Sequence, residues 1–266
     1  VYRYEDSGGL AGLLRVRGMC MNDAHIYCTE EQAVPELLAT IELHKVVYKI
    51  LGIKDYSLRF STWDSEDPKG KEKFINDPAG WEKAQKLVFE AIQKSGLPWK
   101  AGKGEAAFYG PKIDFQFKAV TGREETASTT QLDFAVGKRL DLVYKGSDNQ
   151  EHHPYIIHRA PLGTHERFGA FVIEHFAGAF PTWLAPLQVR LVPVAQEAAM
   201  VEYCRKIEAR LRDKMVRVDI DDSTDTFGKR VRNAVGAKIP NALIVGASEV
   251  GEGAVMLRRY GQEKQE

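Results

Sequence analysis

The strongest constraint on the fold is a change of hydrophobic pattern at the proline-flanked segment 181–186. Before it, several short stretches alternate apolar and polar residues, which is typical of an antiparallel sheet. After it, strand-like and helix-like stretches alternate regularly, which predicts a small α/β unit. The sequence therefore predicts two domains, residues 1–183 with an α+β fold and residues 184–266 with an α/β fold.

The first half combines an arginine-bearing hairpin with strands and helices. The hairpin is predicted over residues 2–20. Residues 29–32 match a capping box, and the helix that they begin is expected to run to about residue 51, with Pro35 in its first turn. Residues 64–77 read as a charged loop. The other expected elements are strands at residues 56–62, 108–115, 129–134, 140–145 and 154–157, and helices at residues 78–95 and 167–180.

The second half has a simpler alternation of strands and helices. Its expected elements are strands at residues 189–194, 216–220, 242–246 and 253–259, and helices at residues 196–211 and 225–235. The chain has neither a Rossmann glycine fingerprint nor a P-loop, so any nucleotide site must be built in another way.

Composition limits the possible classes of protein. The 37 basic and 37 acidic residues give a net charge of zero, so a surface for nucleic acid would have to be local. No apolar run is long enough for a membrane span. The 3 cysteines are widely spaced and predict reduced thiols and a cytoplasmic location. Because the chain begins without an initiator methionine, it is expected to be part of a longer protein.

The hairpin carries charged side chains at strand spacing. Arg3 and Glu5 share one side of the first strand, and Arg15 and Arg17 share one side of the second. A guanidinium makes bidentate contacts with phosphate or carboxylate, so these arginines suit an anionic ligand. A solvated charged ribbon is the alternative reading, and the hairpin by itself does not decide between them.

A second candidate site lies where a buried strand leads into a helix. His158 stands near the end of the strand, and Arg167 follows in the first helical turn. Polar groups at such a junction can converge on a small molecule. The alternative is that both residues only cap and solvate the junction.

These residues belong to longer segments that resemble class II aminoacyl-tRNA synthetases, and more closely threonyl-tRNA synthetases. Residues 3–32 resemble motif 2 of the class, and residues 163–167 resemble motif 3. Further matches are FYGPKID at 108–114, QLDF at 131–134, IHRA at 157–160 and the linker at 180–186. The similarity covers essentially the whole chain in the order that the family has.

The resemblance implies the fold and the activity. The fold would be a class II antiparallel sheet with flanking helices, followed by an anticodon-binding α/β domain. The reaction would be ATP- and Mg²⁺-dependent activation of threonine, followed by transfer to tRNA(Thr). The full-length protein would be a cytoplasmic homodimer without a membrane segment.

The resemblance also implies an ATP site in which Arg3 and Arg167 are catalytic. Arg3 would contact the α-phosphate and the threonine carboxylate, and Arg167 would contact the γ-phosphate and stack on adenine. Glu5 would orient the adenine side of ATP or the tRNA end, and Arg15 would contact phosphate. The implied ATP-binding set is Arg3, Glu5, Arg15, Met19, Thr129, Gln131, Thr164 and Arg167.

A zinc site is implied next to the ATP site. His25 and His158 match two of the three protein ligands of the family's zinc, which would bind the substrate's amino group and hydroxyl. Valine lacks that hydroxyl and would be rejected. Serine keeps it, and the family's editing domain is not represented in this chain. The implied threonine-binding set is Arg3, Asp23, Tyr109, Lys112, Gln131 and His158.

The chain departs from the family pattern at several positions. The family's third zinc ligand is a cysteine upstream of motif 2, and the chain has no counterpart to it. Met19 stands where an aromatic residue is usual, and Met21 stands where a glutamine is usual. Residues 125–129 read ETAST where many members have WQCGT.

In the second half, Glu249 and Arg258 match positions that read anticodon bases in the family. Lys229, Arg230 and Arg232 would face the tRNA backbone. The alternative reading makes Glu249 a solvated turn residue and Arg258 an edge-strand charge.

Two rival functions stay open on the sequence alone. One is a catalytically impaired class II paralogue that binds tRNA or regulates translation. The other is a class II synthetase for a different amino acid, such as proline or serine.

Overall fold

The computed structural model describes residues 1–66, 73–118 and 122–262. It divides into two compact units, Val1–Val172 and Ile173–Glu266. Part of the charged loop predicted at residues 64–77 lies outside the described residues. The domain boundary at residue 183 stays a prediction.

The first unit is organised around a six-stranded sheet with the strand order β1-β8-β5-β4-β2-β3. Its strands are β1 (Ala24–Cys28), β2 (Tyr56–Thr62), β3 (Trp99–Lys103), β4 (Lys112–Lys118), β5 (Glu124–Asp133) and β8 (Tyr155–Ala160). All neighbouring pairs are antiparallel except β2 with β3. The α+β class is confirmed. Strand β3 was not predicted, because WKAGK has only two apolar residues and contains a glycine, which is unfavourable in a strand.

Among the described residues, four helices and a short ribbon accompany this sheet. The helices are α1 (Glu30–Ile50), α2 (Pro78–Ser95), α3 (Val136–Arg139) and α4 (His165–His175), and the ribbon pairs β6 (Tyr144–Lys145) with β7 (Glu151–His152). The side chain of Gln32 accepts from the backbone N–H of Thr29 at 2.9 Å, as the capping box requires. Pro35 lies in the second turn of α1 rather than in the first.

Helices α1 and α2 bury one face of the sheet. On α1, Tyr48 bonds to Ser128 of β5, and the ring of His44 stacks on Phe115 of β4. On α2, the ring of Phe89 stacks on Phe60 of β2. Each large apolar side chain buried here contributes about 1.5–3 kcal/mol to the stability of the fold. The fully buried members of this layer include Leu37, Ile41, Trp81, Ile113, Leu132 and Ile157.

The arginine-bearing hairpin is looser than the sequence predicts. Its backbone forms isolated bridges, Tyr2 with Gly18 and Ala11 with Arg15, in place of a continuous ladder, and regular pairing begins at β1. A 3-10 turn, Ser7–Gly9, and Gly12 at a φ of 48° interrupt the ladder at the tip. Glycine adopts that backbone conformation without steric cost, so the tip closes as an irregular loop.

Helix α4 is shorter than the predicted helix at residues 167–180. It ends at His175, and Ala177 and Gly178 then adopt φ values of 48° and 77°. The backbone N–H of Gly178 bonds to the carbonyl of Ile173 at 3.0 Å, which closes the helix end. The apolar pattern continues past this point, and therefore did not reveal the end.

The second unit has a four-stranded sheet with the order β10-β9-β11-β12. The strands are β9 (Val189–Pro193), β10 (Val218–Ile220), β11 (Asn241–Val245) and β12 (Met256–Arg259), and the helices are α5 (Ala198–Arg212), α6 (Phe227–Gly236) and α7 (Ala247–Glu252). Strand β9 is parallel to both of its neighbours, and β12 is antiparallel to β11. The α/β prediction is confirmed, with α7 as an unpredicted addition. Across the described residues, no helix combines the length and the apolar character that a bilayer span requires.

His44 makes the stability of the first unit depend on pH. Its ring is fully buried, and Nδ1 lies 2.7 Å from the carbonyl oxygen of Thr40. Burial lowers the pKa of His44 from 6.5 to about 4, against the opposing effect of the Thr40 contact, and the charge of Arg159 lowers it further. The folded state therefore favours neutral His44. Stability falls as the pH drops from 6.5 toward 4, because only the unfolded chain gains the proton.

We expect the His44→Phe variant to lose this component of acid sensitivity. Between pH 7 and pH 4, the free energy of unfolding should fall by about 3 kcal/mol more in the wild type than in the variant. Urea unfolding at both pH values measures the difference. His153→Phe, at an exposed histidine, is the control and should follow the wild type. Equal acid sensitivity of His44→Phe and the wild type would contradict the prediction.

Candidate active site

A row of polar residues crosses four neighbouring strands at one level of the first sheet. His25 of β1 is opposite His158 of β8, His158 is opposite Gln131 of β5, and Gln131 is opposite Lys112 of β4. Directly opposed residues on antiparallel strands point to the same face. Residues next to them in sequence, such as Leu132 and Ile157, point to the helix-covered face. The sheet therefore brings together four predicted site residues from four separate segments of the chain.

The two histidines are in contact. Their ring centroids are 4.5 Å apart with the rings nearly perpendicular. Nε2 of His158 lies 3.0 Å from Oδ2 of the buried Asp133, and Oδ1 of Asp133 accepts from the backbone N–H groups of Ala135 and Val136, both at 2.8 Å. Imidazole nitrogen is a preferred zinc donor, and zinc-binding histidines commonly carry a carboxylate on the second ring nitrogen. The pair therefore fits part of a zinc site.

The remaining zinc ligand is not found in the described part of the chain. Within it, no three His, Cys, Asp or Glu side chains are grouped so that they could hold a metal ion. A catalytic zinc usually has three protein ligands, and His25 and His158 could supply two of them.

Tyr109 stands beside the histidines as a hydrogen-bond donor. Its ring centroid is 5.0 Å from that of His158, and its hydroxyl donates to Oε1 of Gln131. Burial raises the pKa of Tyr109 to about 12, and the negative charges of Asp133 and then of the exposed Asp23 add to this effect. Tyr109 is therefore protonated at neutral pH. Because it occupies the amide oxygen of Gln131, the amide N–H groups of that residue are left to serve another acceptor.

Lys112 is held at the far end of the row. Its ammonium group donates to Oδ2 of the buried Asp114 at 2.7 Å, and Ser61 donates to the same oxygen at 2.7 Å. One level further along the sheet, Oγ1 of Thr129 is buried and has no partner among the described residues. An unpaired buried hydroxyl is costly, so Thr129 can gain by bonding a ligand.

On the hairpin, two of the predicted ATP-binding side chains, Arg15 and Glu5, form an ion pair with each other. The guanidinium of Arg15 contacts Oε2 of Glu5 at 2.7 Å, and Arg17 donates to the Glu5 carbonyl at 3.0 Å. Arg3 is exposed and has only a weak contact, 3.9 Å from its Nη2 to the sulfur of Met21. Met19 uses its backbone N–H for Val1 at 2.9 Å. Arg3 is therefore the hairpin arginine whose guanidinium is most available to an anion.

The start of α4 fastens the hairpin to the sheet. Both carboxylate oxygens of Glu166 accept from the backbone N–H of Cys20 at 3.1 Å, and Thr164 forms a bridge with Met21. Nε of Arg167 donates to the carbonyl of Leu14 at 2.9 Å. The structure thus brings Arg167 and Thr164 to the hairpin, as the family pattern implies.

Three carboxylates that were not predicted as site residues organise this site. Asp114 holds Lys112, Asp133 holds His158, and Glu166 holds the hairpin backbone. For two of them the signal was present, because Asp114 and Asp133 interrupt strands that are otherwise largely buried. A charge inside such a strand requires a partner.

A separate cleft of about 700 Å³ lies in the same unit and contains none of the predicted site residues. Its charged groups largely neutralise one another, as in the ion pairs of Lys83 with Glu30, Lys138 with Asp77, and His152 with Asp148. In the part of the chain that the structure describes, the residues lining the cleft have no buried polar side-chain atom without a partner. The cleft therefore shows no preference for a ligand.

In the second unit, the predicted RNA-reading residues have structural contacts. Glu249 lies in α7, where its carboxylate accepts from the backbone N–H of Gly246 at 2.8 Å, and this bond lowers its pKa. Arg258 lies on β12 opposite Ala242. The helix α6 carries the predicted basic residues, of which Lys229 pairs with Asp225 at 2.8 Å.

The prediction that Arg230 faces the tRNA backbone is wrong. Its side chain is buried, and its guanidinium donates to the carbonyl oxygens of Asp225, Asp221 and Val194 at 3.1, 3.2 and 3.3 Å. The planar guanidinium has enough donors to join three backbone segments. Arg232, two residues further on, is exposed.

Comparison with known families agrees with this geometry. The protein-family model described as tRNA synthetase class II core domain (G, H, P, S and T) matches residues 1–176. The family model described as anticodon binding domain matches residues 188–266. The chain therefore belongs to the class II tRNA synthetases, and the resemblance inferred from its motifs is confirmed.

Within that class, the similarity is to threonine–tRNA ligases. Those of Anoxybacillus flavithermus and Geobacillus kaustophilus are 47% and 46% identical over 266 and 264 residues, which are 100% and 99% of this chain but 41% and 40% of those proteins. A crystal structure of the RNA binding domain of threonyl-tRNA synthetase from Cryptosporidium parvum Iowa II has a TM-score of 0.90 and 33% identity, and covers 100% of this chain and 65% of that chain. The chain thus spans about two fifths of the length of the curated relatives it matches.

We expect Arg230→Ala to destabilise the second unit, because it removes a buried guanidinium that bonds three backbone carbonyl groups. The loss should be about 3 kcal/mol in the free energy of unfolding. Arg232→Ala removes the same charge from the exposed side of α6 and should change the stability by less than about 0.5 kcal/mol. Denaturant unfolding of both variants tests the contrast, and equal effects would contradict the role of Arg230.

Proposed function

We propose that this chain forms the amino-acid-activating core and the anticodon-binding part of a threonine–tRNA ligase. The observation that carries the proposal is the row of His25, His158, Gln131 and Lys112, with Tyr109 beside it. A pair of imidazoles next to a protonated phenol and an ammonium group suits an amino acid that has a further hydroxyl. Zinc is not required to read an apolar side chain or the ring of proline.

Zinc would be held by His25 and His158 together with a ligand from outside the described residues. When bound, it supplies Lewis-acid coordination of the amino group and hydroxyl of threonine. Valine cannot provide the hydroxyl. An apolar pocket discriminates between such near-isosteric substrates only about 10- to 200-fold. A site built to bond the substrate hydroxyl discriminates far more strongly against a substrate that lacks it.

The protein side chains around the metal would orient the substrate. Tyr109 stays protonated and fixes the amide of Gln131, whose N–H groups are then directed to an oxygen of the bound amino acid. Asp23 and Lys112 add a negative and a positive charge for the amino and carboxylate groups of threonine. This set holds the amino acid in one orientation, which lowers the entropic barrier to reaction.

ATP would lie between the hairpin and the start of α4. Arg3 is free to contact the α-phosphate, and Arg167 can turn from the Leu14 carbonyl to the γ-phosphate. Arg15 can exchange Glu5 for phosphate in the same way. With Mg²⁺, these cations would neutralise the phosphates while the threonine carboxylate attacks the α-phosphorus in line, the bond from that phosphorus to the β-phosphate oxygen breaks, and pyrophosphate leaves. Positioning and charge stabilisation thus provide the catalysis, and no covalent intermediate with the protein is needed.

The second unit would bind tRNA(Thr) through its anticodon. Glu249 and Arg258 are proposed to read bases, and the exposed Arg232 to contact the backbone. The capping bond between Glu249 and Gly246 uses one carboxylate oxygen, which leaves the other for a base amino group. A homodimeric, cytoplasmic full-length enzyme is part of the same proposal.

We expect Arg167→Ala to reduce threonine-dependent ATP–pyrophosphate exchange by at least about 100-fold, because the variant loses a cation at the developing charge. The assay is run on the intact protein. Arg205→Ala, at an exposed arginine of α5, is the matched control and should retain wild-type exchange. Exchange by Arg167→Ala at the control level would remove this arginine from the mechanism. It would also favour a paralogue that does not use this chemistry.

We expect the intact protein to contain one zinc per chain, and His158→Ala to lose both the metal and the preference for threonine over valine. Metal analysis and exchange assays with threonine, valine, serine and proline measure this. His175→Ala serves as the histidine control and should keep the zinc. A wild-type protein without zinc, or exchange supported by proline instead of threonine, would overturn the threonine assignment.

A further inference from the structure

Asp133 is a buried carboxylate in contact with His158, and the motif matches assign it no role. We propose that Asp133 is a positioning residue that holds His158 with its proton on Nε2, and so makes Nδ1 the metal-binding atom of that histidine. This inference rests on the zinc site of the proposed function and adds the identity of the ligand atom.

The contacts of Asp133 show why it is held in one orientation. The side chain is fully buried, and such a group is costly unless its oxygens are bonded. Oδ1 receives two backbone N–H groups, from Ala135 and Val136, each at 2.8 Å. These two bonds fix the carboxylate and leave Oδ2 directed at His158, 3.0 Å from Nε2.

The strand register explains why the pair meets. Asp133 is opposite Ile156, so His158 is its diagonal neighbour two residues along β8. Diagonal pairs on one face of a sheet are within reach of long side chains. Gln131, two residues before Asp133, occupies the position directly opposite His158. The carboxylate therefore approaches the ring from the side, and does not compete with Gln131 for the same space.

The tautomer follows from the chemistry of the contact. A carboxylate oxygen accepts a hydrogen bond and has no proton to give, so Nε2 of His158 must be the donor. The neutral ring then has its lone pair on Nδ1, and a metal requires a lone pair. A carboxylate behind a zinc-binding histidine also fixes the ring orientation and strengthens the donor nitrogen. His25 at 4.5 Å and Tyr109 at 5.0 Å, measured between ring centroids, limit the movement of the ring further.

The substitution Asp133→Asn tests this logic with little change of shape. The amide oxygen is expected to stay with the N–H groups of Ala135 and Val136. In the reverse orientation, the amide N–H₂ group would face these two N–H donors and could not accept their hydrogen bonds. The amide N–H₂ group would then face Nε2 of His158, which must accept. The proton of His158 would move to Nδ1 and occupy the nitrogen that the metal needs.

The matched control is Asp148→Asn. Asp148 also pairs with a histidine, at 2.8 Å from Nε2 of His152, but the pair is exposed and lies apart from the site row. The substitution has the same chemistry and removes the same charge. It should leave zinc affinity and the tautomer of His158 unchanged.

The experiment uses the intact protein and two readouts. Competition with a chelator measures the dissociation constant for zinc, and long-range ¹H–¹⁵N correlation measures the tautomer of His158 in the metal-free protein. We expect Nε2–H in the wild type and in Asp148→Asn, and Nδ1–H in Asp133→Asn. We expect zinc binding to be weakened by about 10- to 100-fold in Asp133→Asn only.

The outcomes separate the two levels of the proposal. A wild type that binds zinc while Asp133→Asn binds it equally well would overturn the role of Asp133 and leave the zinc site intact. A wild type that binds no zinc would overturn both. If Asp133→Asn does not fold, the wild-type tautomer still decides, because Nδ1–H in the metal-free protein would contradict the proposal.

Discussion

The alternation of side chains along the six-stranded sheet is the constraint on which the first unit depends. On the face that α1 and α2 cover, Ile113, Phe115 and Phe117 of β4, Leu132 of β5 and Ile157 of β8 are buried and form part of the core. The residues between them have to point to the other face. That face collects His25, His158, Gln131 and Lys112 in one row. The packing that stabilises the fold and the geometry of the site therefore have the same origin, and a slip of one residue in register would destroy both.

Two buried carboxylates hold members of this row, and a third carboxylate holds the hairpin. Asp114, Asp133 and Glu166 each bond a group that the proposed chemistry uses or supports, and the two aspartates are buried. In a low-dielectric setting such bonds are strong, and an unpaired partner would be costly. The proposed amino-acid site is therefore preorganised. The proposed ATP site is less preorganised, because Arg167 and Arg15 are engaged with the hairpin and would have to exchange partners to bind phosphate.

Much of the architecture could be predicted, and the misses have physical causes. Capping at Thr29 and the pattern of the second unit were readable, because they are local. The end of α4 at His175, the loose hairpin and the edge strand β3 were not, because the residues involved do not carry the usual local signals. Arg230 was misread for a different reason. A sequence shows that a charge is present on a helix, but not that three carbonyl groups surround it.

For the site, the sequence by itself determined which residue types were present and which family pattern they follow, since the motifs around Arg3, His158 and Arg167 are local strings. It could not determine which of them meet. The contact of His25 with His158 and the orientation of His158 by Asp133 join residues far apart in the chain. Such contacts depend on strand register and on burial, and a carboxylate such as Asp133 is buried only after the sheet has formed. Only the tertiary structure could decide them.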